Sequence, residues 1–176
     1  MANEEIILRA LEFKDAELIY QYENDVLAWR NGVNTRFYSS YAIEQYIISN
    51  QNEDITKCEQ CRFMIDVRGE DSLKTVGCVD LYDIDFVNAR VAVGIYIDIP
   101  QRNNGYAKKT LFALEKYIKN ILNLHQIYAF VSKANTISQK LFTFCGYINT
   151  AELKDWVKHS EEYINVLVFQ KKIGIN

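Results

Sequence analysis

The stretch Ile95-Tyr-Ile-Asp-Ile-Pro-Gln-Arg-Asn-Asn-Gly-Tyr-Ala-Lys-Lys-Thr110 constrains the fold more than any other part of the chain. It reads as an apolar strand, a glycine turn and a helix start with basic residues in the first turn. Pro100 is the only proline among 176 residues. Lacking an N–H for a ladder, it must end the strand before it. A helix opening at such a turn leaves its first N–H groups unpaired and points the positive end of its dipole at one place. That arrangement suits a phosphate or pyrophosphate. Arg102-Asn-Asn-Gly-Tyr-Ala107 fits R-x-x-G-x-A, where Gly105 admits close backbone approach and Ala107 keeps the first turn slim. Lys108 or Lys109 adds charge beside this anion nest. A nucleotide-triphosphate loop is excluded, because its first glycine and its Gly-Lys-Thr junction are missing; G-x-G-x-x-G is absent too. On the loop alone, a plain helix with a glycine entry turn remains the alternative.

Periodicity supplies the surroundings. Ile6–Leu11 reads as a first strand, and Asp15 as the cap of a helix with Leu18, Ile19, Tyr22 and Val26 on one face. A second helix is predicted over Ala42–Ser49. From Arg62 the period becomes two: Phe63, Ile65 and Val67 alternate with polar residues, as in a half-buried strand. Thr75–Tyr82 and Arg90–Ile99 read as strands joined by an acidic turn. In the second of these, Val91, Val93, Ile95 and Ile97 oppose Ala92, Gly94 and Tyr96, which predicts a central strand covered on both faces. Ala107, Leu111, Leu114, Ile118 and Ile121 then share a helix face. Gln126–Val131 is a strand, and Thr136–Phe144 a short helix stopped by Gly146. Tyr147–Leu153 and Glu162–Lys171 close the order. The class predicted is α+β, with a mixed central sheet of about six to seven strands flanked by about four helices. No linker or repeat divides residues 1–176, so one domain is expected.

Composition narrows the partners. A net charge of −3 and a pI near 5.5 argue against nucleic acid. No apolar run is long enough for a membrane span, and Met-Ala-Asn-Glu-Glu lacks the layout of a signal peptide, so a cytoplasmic protein with no membrane partner is expected. There the four cysteines would be reduced thiols. Cys58 and Cys61 form C-x-x-C without a second pair, and His125 and His159 stand alone, so no metal is expected.

Three ordered motifs carry a resemblance. Besides the loop, Gly77-Cys-Val-Asp-Leu-Tyr-Asp-Ile-Asp85 and Asn88-Ala-Arg-Val-Ala-Val-Gly-Ile-Tyr-Ile97 form a strand pair. Asn135-Thr-Ile-Ser-Gln-Lys-Leu-Phe-Thr-Phe-Cys-Gly-Tyr147 follows N-x-x-S-x-x-L-[YF]-x-x-x-G-[FY]. Over roughly residues 6–171 the chain resembles the GNAT superfamily of acyl-CoA-dependent N-acetyltransferases. Trp29-Arg-Asn31 is similar to the branch with ribosomal-protein N-terminal and polyamine (spermidine) acetyltransferases. The resemblance implies acetyl-CoA as co-substrate. Arg102, Asn103, Asn104, Gly105, Tyr106, Ala107 and Lys108 would hold the pyrophosphate, chiefly by backbone N–H groups. Ile95, Tyr96 and Ile97 would pair with the pantetheine arm like an added strand, entering where the neighbouring strands part. Asn135 would bond the cofactor, and Ser138 would lie near the thioester sulfur. Each also has a plain reading, as helix cap and surface residue.

Two departures from the family pattern bear on the chemistry. Relatives often have a tyrosine acid where this chain has Phe142, and a glutamate base where it has Ala92. Ser138 is then the first candidate for the acid, with Tyr147 and Cys145 behind it. Asp80, Asp83 or Glu23 would accept a proton through water, and Asp80 is assigned as the catalytic carboxylate. Trp29, Tyr38, Tyr41 and Asp83 are assigned to the acceptor site, although Trp29 also suits a core anchor and the tyrosines a solvent shield. The function expected is direct acetyl transfer to a primary amine. A polyamine or other small amine comes first, a protein N-terminus second and an amino sugar third. A catalytically impaired CoA-binding module is the rival of another class. The chain's other expected partner is itself, as a homodimer or larger homo-oligomer.

Overall fold

The computed structural model describes residues 4–26, 36–52, 54–57, 60–70, 72–159 and 161–174. Its strands are β1 (Glu5–Ala10), β2 (Gln60–Arg68), β3 (Leu73–Asp85), β4 (Arg90–Ile97), β5 (Gln126–Ser132), β6 (Ile148–His159) and β7 (Glu162–Lys172). The helices are α1 (Ala16–Glu23), α2 (Ser40–Asn52), α3 (Tyr106–Asn120) and α4 (Thr136–Phe144). All seven strands form one sheet in the order β1-β2-β3-β4-β5-β7-β6. Every neighbouring pair is antiparallel except β4 and β5, which run parallel. The expected mixed α+β sheet is therefore present.

The alternation of β3 and β4 sorts side chains onto two buried faces, as strands covered on both sides require. On one face Val79, Leu81, Val91 and Val93 pack with Leu111, Leu114 and Ile118 of α3 and Phe142 of α4. On the other, Met64 and Cys78 pack with Ile19 and Tyr22 of α1 and Ile43 and Ile47 of α2. Gly77 sits where β3 approaches β4 most closely. A Cβ there would stand 2.1 Å from the carbonyl oxygen of Tyr96, so only glycine permits the contact.

Several expectations need correction. Strand β2 is buried on both faces: Met64 and Ile65 are fully enclosed, and Arg62 and Asp66 are buried with them. Charged residues at inward positions mimic the polar face of a half-buried strand. Val26 lies beyond the end of α1 and is exposed, as is Ile121 at the end of α3. Asp15 makes no side-chain cap to α1. A 3₁₀ turn over Phe13–Asp15 intervenes, and the carboxylate instead accepts from Arg9 Nη1 and Nη2, both at 2.7 Å, and from Glu12 N–H at 2.9 Å.

Arg9 also donates from Nε to Asp66 at 2.7 Å, so one guanidinium joins β1, β2 and the entry to α1. Burial pushes the Asp15 carboxyl upward, but its bonds to Arg9 and Glu12 outweigh this and hold it below its ordinary value. The stability it contributes is thus present above the unfolded value of 3.8 and lost as pH falls through the lower folded value. Replacing Arg9 with Met should strand two buried carboxylates and cost about 3–5 kcal/mol at pH 7. Urea denaturation at pH 7 and pH 3 checks this; the variant's deficit should shrink at the lower pH.

Candidate active site

Strands β4 and β5 pair at only three positions, Arg90 with Gln126, Val91 with Ile127 and Ala92 with Tyr128. Beyond them the strands part, although each remains tied to its outer neighbour. Ile97 still pairs with Gly77 of β3, and Ser132 with Val166 of β7. The Lys133 N–H bond to Asn165 O, at 2.9 Å, continues the pull of β7 on the chain after β5. The sheet therefore opens as a wedge, closed at Ala92 and Tyr128 and lined by the facing edges of 93–97 and 129–132, which form no ladder with each other. Unpaired strand edges accept an extended amide-bearing chain.

The loop predicted as an anion cradle lies at the open end of this wedge. After β4, Ile99–Gln101 makes a 3₁₀ turn and Gly105 precedes α3 with φ 77°. Asn103 also has positive φ, 66°. The first bond into the helix runs from Lys109 N–H to Gly105 O at 3.1 Å. The N–H groups of Tyr106, Ala107 and Lys108 thus precede any helical acceptor. A Cβ on Gly105 would meet no heavy atom within 4 Å, so the concavity is open where a phosphate would rest. Arg102 folds back, donating from Nε to Ile97 O at 2.9 Å, with its guanidinium 5.6 Å from the Tyr96 ring centre. Asn104 is tied to Gln101 O at 3.1 Å. The Tyr106 ring is buried and its hydroxyl donates to Glu4 at 3.1 Å, leaving only its backbone for a ligand. Lys108 Nζ lies 4.0 Å from the Phe144 ring centre.

Across the wedge, Asn135 caps α4, its Oδ1 accepting from Ser138 N–H at 3.0 Å. Its carboxamide N–H₂ is left for a ligand. Ser138 is half-buried, and among the described residues nothing hydrogen-bonds its hydroxyl. Phe142 is in the core, edge-on to Tyr147 at 5.1 Å and stacked with Phe169 at 6.0 Å. Tyr147 and Cys145 are buried beside it. Burial, with Glu115 adding to it, raises the Cys145 thiol above its ordinary value and the Tyr147 phenol well above its own, which suits neither to lose a proton.

The face of the sheet under α1 and α2 carries the remaining polar groups. Asp80 accepts from Arg62 Nε at 2.7 Å, Arg62 Nη2 at 2.9 Å and Gln60 Nε2 at 3.0 Å. Arg62 reaches Glu23 with Nη1 at 2.5 Å and lies over the Tyr46 ring. Its 8% exposure makes this a buried clamp between two carboxylates. Two of the three expected base candidates, Asp80 and Glu23, are thus already held by a cation. The Tyr96 ring lies 4.7 Å from that of Tyr22 at a 44° tilt, and its hydroxyl donates to Asp25 at 3.3 Å; burial pushes its phenol up to about 12. Tyr38 packs on the same cluster and is held by Asn24 at 2.9 and 3.0 Å. Tyr41, on the first turn of α2, is 68% exposed. Asp83 accepts from the Tyr128 hydroxyl. Trp29, with Arg30 and Asn31, lies outside the described residues. Sequence reasoning missed Arg62 and Tyr128. Inward charges in β2 and the parity of Ile127, Ala129 and Val131 were the available signals.

Split sheet, anion cradle and asparagine-capped helix together are a frame for an acyl-CoA. The acetyltransferase (GNAT) domain family matches residues 5–148. The chain belongs to that family. Its acyl donor is acetyl-CoA and its reaction N-acetylation. Spermidine N(1)-acetyltransferase of Vibrio cholerae is 28% identical over 152 residues, covering 86% of this chain and 83% of the relative. That of Escherichia coli K12 is 24% identical over 160 residues, covering 91% and 82%. The crystal structure of spermidine N-acetyltransferase from V. cholerae in complex with CoA and spermine superposes with a TM-score of 0.84 at 22% identity, covering 95% of each chain. The likeness to that structure shows the fold.

Two substitutions probe the cradle and α4. Gly105→Glu should lower CoA affinity by at least about 100-fold in calorimetry while the protein stays folded, because it sets charge and bulk where phosphate must sit. Gly105→Ala, which meets no protein atom, separates φ strain from ligand exclusion. Ser138→Ala should lower kcat by about tenfold or more with CoA affinity preserved; wild-type turnover would remove Ser138 as the proton donor.

Proposed function

We propose that this chain transfers acetyl from acetyl-CoA directly to a primary amine of a polyamine such as spermidine or spermine. Pyrophosphate binds the N–H groups at 104–108, and the pantetheine arm runs back along β4 from Ile97 toward Val93, a span of about 13 Å. The thioester then stands at the closed end of the wedge, by Ala92 and Tyr128. Positioning there, with a backbone N–H polarising the carbonyl, supplies most of what an amine attack requires.

The observation that carries the choice of acceptor is charge. Glu23, Asp25, Asp80 and Asp83 border the face beside the wedge, against the buried Arg62. Such a site attracts a multiply charged cation and offers nothing to an acidic acceptor. The names of the relatives, spermidine acetyltransferases, support the same reading. Asn135 and Ser138 serve the cofactor side, Tyr38 and Tyr41 the acceptor side. Residues 1–176 act as one domain in the cytoplasm; no described helix is long and apolar enough to cross a membrane.

Thiol release measured with spermidine, spermine, amino sugars and N-terminal peptides tests this. Polyamines should give the highest kcat/KM, and that preference should fall as ionic strength rises. Turnover of peptides or sugars but not polyamines would refute the assignment.

A further inference from the structure

Of the carboxylates facing the wedge, Asp83 is placed differently from the rest. Regular alternation would send it to the α3 face, opposite Tyr82. The register between β3 and β4 instead shifts between Tyr82 and Asp85, and Asp83 takes a φ of 49°. The shift is visible in the neighbours, since Tyr82 covers Gly94 on the acceptor face while Ile84 packs on the α3 core. One residue of irregularity thus re-aims the Asp83 carboxylate onto the acceptor face. There it accepts from the hydroxyl of Tyr128.

Tyr128 is the last residue of β5 that pairs with β4, and its partner is Ala92. Its ring therefore stands at the closed end of the wedge, beside a methyl group that leaves room for it. Asp83 is exposed, so a proton taken there passes to water. Asp80 and Glu23 are clamped by Arg62, whereas no salt bridge reaches Asp83 among the described residues. Arg90, the cation beside Tyr128, is paired with Asp85 at 3.2 Å.

We propose that Asp83 is the proton acceptor for the acceptor ammonium, and that Tyr128 is the positioning residue that aims its carboxylate. The proposal rests on the amine-acetylating function above and moves the role expected of Asp80 to Asp83. The ammonium gives one proton to an Asp83 carboxylate oxygen. The neutral nitrogen attacks the thioester carbon, so the C–N bond forms as the C–S bond breaks. The second nitrogen proton reaches the departing sulfur by relay through the Ser138 hydroxyl, which gives its proton to sulfur and takes that one, and Asp83 returns its own to solvent. The hydroxyl of Tyr128 stays protonated throughout, because burial and the Asp83 charge hold it above its ordinary value. The other ionisable groups facing the pair are Tyr82 and Asp80 of β3 and Arg90 of β4.

The test measures spermidine acetylation between pH 6 and 9, with CoA affinity followed by calorimetry. Asp83→Asn suits the positive φ, since asparagine tolerates it as well as aspartate does. Its kcat/KM for spermidine at pH 7 should fall about 100-fold with CoA affinity unchanged. Its rate should then climb about tenfold per pH unit as free amine accumulates, while the wild type levels off. In Tyr128→Phe kcat for spermidine should fall about tenfold with KM for acetyl-CoA unchanged, because the carboxylate is no longer aimed. Wild-type rates and pH profiles in both variants, or loss of CoA affinity in Asp83→Asn, would overturn the proposal. A wild-type enzyme that turns over no amine would instead refute the proposed function, and this assignment with it.

Discussion

The short parallel contact between β4 and β5 is the constraint on which the rest of the molecule depends. Three paired positions join the two halves of the sheet, and beyond them each half follows its own neighbours. Had the ladder continued, no backbone edge would be open to an extended ligand. Had it been absent, the cradle before α3 and the cap of α4 would not share one cleft. Gly77 contributes by letting β3 stay paired with β4 as far as Ile97, beyond the point where β5 departs.

Charge burial organises the opposite side. Two arginines, Arg9 and Arg62, each bridge a pair of carboxylates beneath the helices. Arg9 ties β1 and β2 to the start of α1. Arg62 ties β2 and β3 to its end. Both satisfy charges that would otherwise be costly to enclose. The clamp on Asp80 and Glu23 also has a chemical consequence, since their oxygens already accept from a buried guanidinium. Acidic residues on this face therefore divide into those that Arg62 holds and Asp83, which the Tyr128 hydroxyl meets.

The elements were largely legible because their signals are local. The helix after Gly105, the α4 cap at Asn135 and the stop at Gly146 follow from turn chemistry and a 3.6-residue period. Errors came where a charged residue points inward. Asp15 reads as a cap by type and position, yet Arg9, six residues earlier, claims its carboxylate. Arg62 and Asp66 read as solvent-facing because period two does not say which face is covered. Phe142 and Ala92 read as missing functional groups, but what stands beside them depends on strands far apart in the chain.

By itself the sequence determined the anion cradle, the order of strands and helices and the family, because each rests on residues adjacent along the chain. Only the tertiary structure decided how the carboxylates are used. Asp80 and Asp83 are three residues apart on one strand, yet one is held by Arg62 of β2 and the other faces Tyr128 of β5. Which partner each meets depends on sheet register and on an irregular residue with positive φ. Both arise from pairing between distant segments, and no local pattern encodes them.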